Sequence, residues 1–472
     1  MPDAVPDTLL AAMAALLGEK GFSRNAADME PWLIDWRGRY RGQAAALLAP
    51  ASVPEVQAIV TLCGEAGVPL VPQGGNTSMV GGATPPGDGK ALLLSLRRMN
   101  RIRSVSPADN IAVAEAGVIL AHLHEAAAAV GRRFPLSLGA KGSATIGGLV
   151  STNAGGTQVL RFGPMRSQVL GLEAVLPDGS LYEGLSALRK DNRGYDLAQL
   201  LIGAEGTLGV VTAASLRLVP AAGSTGVAWA GLASPEEALE LLRALEARLG
   251  RAVESFELVP DEALSLVLQH VEGTRAPLSG RHSWHVLVEA VLPEGAGDAG
   301  EALSEALAPH VGSGLVADAA VAASEAQAAQ LWRLRDSIAE AERKAGPSLK
   351  HDISVPVAAM PGFIRDAREA LERRFEGTSV VAFGHLGDGN VHFNVLAPGG
   401  DAAWLEERGP AATALVHDLV TAAGGSISAE HGIGQMKRDE LARTASPARL
   451  AAQRAIKLAL DPIGMMNPGK LL

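Results

Sequence analysis

Short apolar runs bounded by Gly and Pro alternate along the chain with longer stretches of helical spacing, and the balance between them changes near residue 220. Ala91–Leu96, Ile111–Glu115 and Val169–Leu176 have the length and boundaries of strands. Glu55–Ala66 carries helical spacing and leads into the apolar run Val68–Val71, a helix-then-strand step. Beyond Pro220-Ala-Ala-Gly, segments 235–250, 299–309, 324–345, 357–376 and 402–423 are rich in Ala, Leu, Glu and Arg at helical periodicity. Strand-like runs lie among them: Val253–Leu258, Trp284–Ala290, Ile353–Val355, Val380–Phe383 and Val391–Leu396. Gly295–Gly300 reads as a surface loop, and 447–460 as a helix ended by turns at Asp461-Pro462 and Asn467-Pro468-Gly469. The pattern predicts an α+β protein in four parts. These are an N-terminal helical segment 1–41, a glycine-looped domain 42–220, a second α+β domain 221–435 and a C-terminal segment 436–472.

Composition narrows the function classes. The 472 residues carry a net charge of −10, which argues against a nucleic-acid or anionic-membrane binder, since either would need a basic face. The lone Cys63 excludes an intramolecular disulfide and a thiolate-built metal site. No apolar run is long enough to suggest a membrane span, and the acidic start Met1-Pro2-Asp3 is unlike a signal peptide. A soluble, reduced, cytoplasmic protein is expected.

The 54 glycines are clustered rather than periodic, so no repeat array is implied. Three loops concentrate them. The first is Val68-Pro-Leu-Val-Pro-Gln-Gly-Gly-Asn-Thr-Ser-Met-Val-Gly-Gly, the second runs from Leu138 to Gly156, and the third is Ile202-Gly-Ala-Glu-Gly-Thr-Leu-Gly-Val-Val. Backbone N–H groups can converge on a phosphate only where Cβ atoms do not obstruct them, and Ser or Thr stands beside Gly in each loop. Ordinary turns would explain one such loop, whereas three suit a long polar cofactor. Neither Gly-x-Gly-x-x-Gly at a strand–helix turn nor Gly-Lys-Ser/Thr occurs, which disfavours a Rossmann turn and a P-loop.

A second chemistry-bearing segment is Val380-Val-Ala-Phe-Gly-His385-Leu-Gly-Asp-Gly-Asn-Val-His392-Phe-Asn394-Val. With Gly387-Asp388-Gly389-Asn390 as the turn, Leu386 pairs with Val391 and His385 with His392. Directly opposed side chains share a face about 4.5–5.5 Å apart, a spacing that suits two imidazoles on one metal. Asn394 lies on the same face. The best source of a carboxylate is Ser428-Ala-Glu430-His431-Gly-Ile-Gly434, and two His with one carboxylate suit zinc, Fe(II) or Mn(II). His122, His124, His270, His282, His285, His310, His351 and His417 read as structural. Arg335 stands within the apolar stripe of Leu331, Leu334, Ile338 and Ala341, so it needs an anionic partner or must snorkel to water. Lys350 opens a strand, where an ordinary exposed edge Lys is the plain reading.

The three glycine loops resemble the FAD-binding domain of the vanillyl-alcohol oxidase / p-cresol methylhydroxylase superfamily. Within it, Gly384-His-Leu-Gly-Asp-Gly-Asn and Glu430-His-Gly-Ile-Gly are similar to motifs of the FAD-linked D-2-hydroxyacid dehydrogenases, and the likeness runs from about residue 40 to Leu472. The resemblance implies that Pro72, Gln73, Gly74, Gly75, Asn76, Thr77, Ser78 and Gly82 wrap the FAD pyrophosphate. It adds Gly139, Gly142, Ser143, Thr145, Gly148, Ser151, Asn153 and Gly155 from the second loop, and Glu205, Gly206, Gly209 and Val210 from the third. Some relatives bind flavin covalently through a His where this chain has Asn76, so noncovalent FAD is implied. A ferredoxin-like substrate domain follows from the same likeness. So does a divalent metal, zinc by preference, on His385, His392 and Glu430, with His431 as catalytic base and Arg335, Lys350 and Asn394 binding substrate.

D-2-hydroxyglutarate is the substrate this resemblance favours, with D-lactate or glycolate as the alternative. One departure is Ala339, where D-2-hydroxyglutarate enzymes often carry a hydroxyl residue; it removes one hydrogen bond to a distal carboxylate. An electron acceptor is implied, whether an electron-transfer flavoprotein, a quinone or a cytochrome, and a homodimer is compatible with the chain. A zinc-dependent hydrolase is the rival enzyme class, and an FAD-carrying electron-transfer subunit the rival binding role.

Overall fold

Residues 4–188 and 190–472 are described by a computed structural model, and their contacts divide into two units. The first runs to Gly155 and adds Gly163–Pro220 and Glu430–Leu472; the second is Gly156–Phe162 with Ala221–Ala429. The first sequence-based domain, 42–220, therefore runs through a short stretch that packs elsewhere. Gln158 and Arg161 explain why: both hold the fully buried Glu254 carboxylate, each at 2.7 Å.

In the first unit the expected helix-then-strand step is the helix Val53–Ala66 followed by the strand Leu70–Gln73. Ser52 accepts from Glu55 N–H at the helix start and Gly67 ends it in the left-handed region, a standard pair of caps. Leu70–Gln73 and Ala46–Leu48 pair in parallel with Leu92–Ser95, a strand buried along its whole length. The N-terminal helix Asp7–Gly21 buries Leu9, Leu10, Met13 and Leu17 in the core of this sheet. A second, antiparallel sheet takes the order Ile102–Ser106, Ile111–Glu115, Val210–Arg217, Val169–Val175 and Leu181–Gly184.

Seven antiparallel strands form the sheet of the second unit. Four of them, Asp318–Val321, Ser224–Leu232, Trp284–Leu292 and Val253–Pro260, lie side by side in that order. Numbered along the chain, this is the 4-1-3-2 order of a ferredoxin-like half. Ser379–His385, Asn390–Leu396 and Ser348–Ser354 repeat it as 2-3-1, and an isolated Ser354↔Ser426 bridge stands where a fourth strand would pair. The halves join at Glu257↔His385 and Leu258↔Gly384.

Strand alternation sends Phe256, Leu258, Ala382, Val391, Phe393 and Val395 into one helix-covered core. On the other face, Val259, Val381 and Phe383 pack with Leu334, Ile338 and Ala341. Ser224–Leu232, Asp318–Val321 and the helix Asp261–His270 lie outside the sequence expectation, and the expected helix 324–345 is broken at Ser337 into Glu325–Asp336 and Ile338–Ala345. Among the described residues no helix is long and apolar enough to cross a membrane.

Candidate active site

The three glycine loops meet in the first unit. A Cβ on Gly75 would strike the Ser143 carbonyl, and one on Gly74 would strike Thr145 Oγ1, so the first and second loops touch at their backbones. Glu205 N–H donates to Ser151 O at 2.8 Å, which brings the third loop against the second. Asn467 Nδ2 closes the group by donating to Gly82 O and Glu205 O, at 3.0 and 2.6 Å. Ser143 lies in the loop before the short helix Ile146–Thr152, Thr145 precedes its first residue, and Gly148 and Ser151 lie within it. Asn153 follows in the left-handed region at φ 50°.

Several side chains named for FAD are spent on the protein itself. Gln73 is buried and donates to Trp32 O and Ala83 O. Asn76 Nδ2 donates to Pro31 O and Ile34 O, and Asn153 Oδ1 accepts from Arg166 N–H. Val210 is core. The Glu205 carboxylate accepts from Ile433 and Gly434 N–H, each at 2.7 Å; its burial still raises its pKa, against those bonds and the charges of Lys437 and Lys470. From these five positions the backbone is what remains to meet a cofactor. The loops nevertheless fit a flavin dinucleotide: Thr145 Oγ1 is buried without a partner among the described residues, and a Cβ at Gly139 or Gly142 would meet nothing within 4 Å.

The hairpin of the second unit corrects the expected register. His385 pairs with Asn390, Gly384 with Val391 and Phe383 with His392, while Leu386 leaves the ladder to donate to Phe256 O and fill the core. The two histidines are therefore diagonal neighbours instead of direct partners. They keep one face, because the shift is two residues, and their ring centroids are 5.6 Å apart at 77°. Asn394 follows on that face, and the neighbouring strand adds Asp352 opposite His392 and Lys350 opposite Asn394.

Ala429 N–H donates to Asp352 O at 3.3 Å, and Glu430 and His431 follow it directly in the chain.

Two buried acids that sequence reading missed organise this face. Glu257 is fully buried and accepts from His385 Nδ1 at 2.6 Å and Arg335 Nε at 2.8 Å. Burial would raise its pKa, but His385 and Arg335 outweigh that and hold it at about 2. With Nδ1 tied to a carboxylate, Nε2 is the nitrogen that His385 would offer a metal, the arrangement typical of metal-bound histidine. The donor set of two imidazoles and a carboxylate fits a divalent ion. Arg335 also stacks over Phe383, 5.1 Å from the ring centroid.

Glu342, equally buried, accepts from Lys350 Nζ at 2.9 Å and from Asn394 Nδ2 at 2.8 and 2.9 Å. The anionic partner that Arg335 requires is thus internal, and Lys350 is no bare edge lysine. A signal for each acid was present. Glu257 interrupts an apolar strand, Glu342 lies seven residues after Arg335 and four after Ile338, and Asp352 alternates with Lys350.

Residues 44–184 match the family model described as FAD binding domain, and 223–471 match that of the C-terminal domain of FAD linked oxidases. The mitochondrial D-2-hydroxyglutarate dehydrogenase of Bos taurus is 40% identical over 445 residues, 94% of this chain and 80% of that one. The D-2-hydroxyglutarate dehydrogenase of Xanthomonas citri pv. viticola is 40% identical over 448 residues, 94% of this chain and 93% of its own. The chain belongs to the FAD-linked D-2-hydroxyacid dehydrogenase family. Its fold is that of the wider superfamily. The solved structure of p-cresol methylhydroxylase with substrate bound superposes with a TM-score of 0.75 over 100% of this chain and 98% of that one, at 16% identity.

Proposed function

We propose that the protein oxidises a D-2-hydroxyacid to the 2-oxoacid, the C2 hydrogen leaving with its electron pair and the hydroxyl hydrogen as a proton. The observation that carries this reading is the shared face of His385 and His392, in a chain of this family, with Ala429, the residue before Glu430, bonded to the neighbouring strand at Asp352. Bound FAD supplies the two-electron acceptor, and a bound divalent cation, one of zinc, Fe(II) and Mn(II) by the donor set and zinc by the family likeness, would supply Lewis acidity towards the 2-hydroxyl and the C1 carboxylate.

The chain does the rest. His385, His392 and Glu430 would hold the cation. His431 takes the hydroxyl proton, at an imidazole whose ordinary pKa lies near neutrality. Arg335, stacked on Phe383, offers the rest of its guanidinium to the C1 carboxylate, and Asn394 and Lys350 line the direction in which the substrate extends beyond C2. Backbone N–H groups of Gly74–Ser78 and Gly142–Gly148 cradle the FAD phosphates, without a covalent link at Asn76. D-2-Hydroxyglutarate enters through the names of the relatives, with D-lactate and glycolate as shorter alternatives. The electrons pass to a soluble acceptor, an electron-transfer flavoprotein foremost, and the buried single thiol Cys63 suits the reducing cytoplasm.

The test is anaerobic bleaching of the bound flavin by D- and L-lactate, D- and L-malate, glycolate and D- and L-2-hydroxyglutarate, with and without chelator. A D-acid should bleach it and chelator should slow the reaction. His431→Asn should keep flavin and metal and lose turnover. A colourless protein, or a flavin that no 2-hydroxyacid bleaches, would sink the reading.

A further inference from the structure

We infer that Glu342 is a specificity-determining residue: it occupies the donors that a second substrate carboxylate would need, so the site favours D-2-hydroxyacids whose end beyond C2 is uncharged. The inference rests on the D-2-hydroxyacid reading and narrows it.

Two cations on this face could receive a distal carboxylate, Arg335 and Lys350, and each is already matched by a buried acid. Arg335 is tied to Glu257, which also holds His385. Lys350 is tied to Glu342, whose two oxygens also take the Asn394 amide. Asn394 follows His392 by two residues on one strand, a rise of roughly 7 Å, so it and Lys350 stand one substrate length from the histidines. Ala339 brings no donor of its own.

A distal carboxylate arriving there would have to share the Lys350 ammonium with Glu342. Like charges a few ångströms apart in a partly dry site weaken binding by about tenfold to a hundredfold, even with strong screening. An alkyl or hydroxyl end meets no such penalty. The C1 carboxylate is met separately, by the remaining guanidinium N–H groups of Arg335 and by the cation that the histidines would hold.

The experiment compares D-lactate with D-2-hydroxyglutarate by kcat/KM on the flavin- and metal-loaded protein. It also compares pyruvate with 2-oxoglutarate by calorimetry, a readout independent of turnover. Wild type should favour the monocarboxylate about tenfold or more in both, and Glu342→Gln should shift both ratios towards the dicarboxylate by a similar factor. Ratios that do not move in a folded Glu342→Gln protein would overturn the inference. So would a wild type that prefers the dicarboxylate, a result that needs no variant to fold. A wild type that oxidises no D-2-hydroxyacid would instead sink the functional reading. The calorimetric ratio would still report on Glu342, and failure of both oxoacids to bind would remove both.

Discussion

Glu257→Gln is the sharpest perturbation available, because one atom changes and two neighbours make incompatible demands on it. Arg335 Nε–H can only donate, so the new amide must turn its oxygen towards Arg335. Its NH2 group then faces His385 Nδ1, which accepts only if the ring proton moves to Nε2, the nitrogen offered to the proposed metal. The opposite amide orientation sets donor against donor at Arg335. The first orientation gives up the Nε2 lone pair, and the second leaves a buried donor unsatisfied.

Arg335 is buried and would lose its counter-charge, and breaking such a pair by removing one partner costs about 3–5 kcal/mol. The retained hydrogen bond to the amide oxygen returns part of it, so a net loss of about 2–3 kcal/mol is expected. Metal affinity should fall by about ten- to a hundredfold or more, as for other partners of ligating histidines. The Glu257 carboxyl sits below its ordinary value of 4.5, at about 2, so its contribution is complete above the ordinary value and is lost only as pH falls through the lower one. Melting near neutral pH therefore reports the full effect. The assay is thermal melting together with metal content after dialysis against buffered free zinc. Glu257→Asp should recover part of the metal. Unchanged metal uptake and melting temperature in Glu257→Gln would refute the reasoning.

Gly75→Ala should abolish or strongly weaken FAD retention, because its Cβ would land on the Ser143 carbonyl where two loops touch; a yellow protein with full flavin occupancy would contradict this. Lys470 gives the pH prediction. Burial and Arg438 hold its pKa down to about 8 against the pull of Glu205. The unfolded chain thus binds more protons than the native one between 8 and the ordinary 10.5, and stability rises with pH across that window. Lys470→Met should be more stable than wild type at neutral pH, by up to about 3 kcal/mol, with the gap closing as pH rises through the window. Melting curves at neutral and alkaline pH check it, and a gap that stays constant would refute it.

The hairpin shows why some of the site was legible and some was not. The turn at Gly387-Asp388-Gly389-Asn390 is readable from the sequence, but the pairing differs from the expected one by two residues, because the core of the second unit claims Leu386 and takes it out of the strand. Two is the period of a strand, so the error moved His385 from a direct to a diagonal partner of His392 without changing its face. An error of one would have separated them. The strand Ser224–Leu232 escaped for a different reason. Its Gly226 and Gly231 read as loop residues, yet they mark close approach, of the Ala299 backbone to one and the His282 ring to the other. Nothing local in the sequence announces a neighbour some 50 to 70 residues away.

The partners of the buried acids lay beyond reach for a related reason, and they change how an anion site is to be read. Glu257 meets Arg335 across 78 residues, and Glu254 meets Arg161 across 93. Counting bases on an apolar stripe therefore overstates the field offered to a substrate, since what binds an anion is the charge left uncompensated. The two acids of the site also differ in what they hold. Glu257 serves a candidate metal ligand as well as a base, so a substrate carboxylate cannot take its place without freeing His385. Among the described residues, the Glu342 carboxylate serves only Lys350 and Asn394, both of which a ligand or a neutral side chain could satisfy. Substrate choice should therefore be adjustable at Glu342 by single substitutions that keep the metal, whereas at Glu257 specificity and metal retention should be lost together.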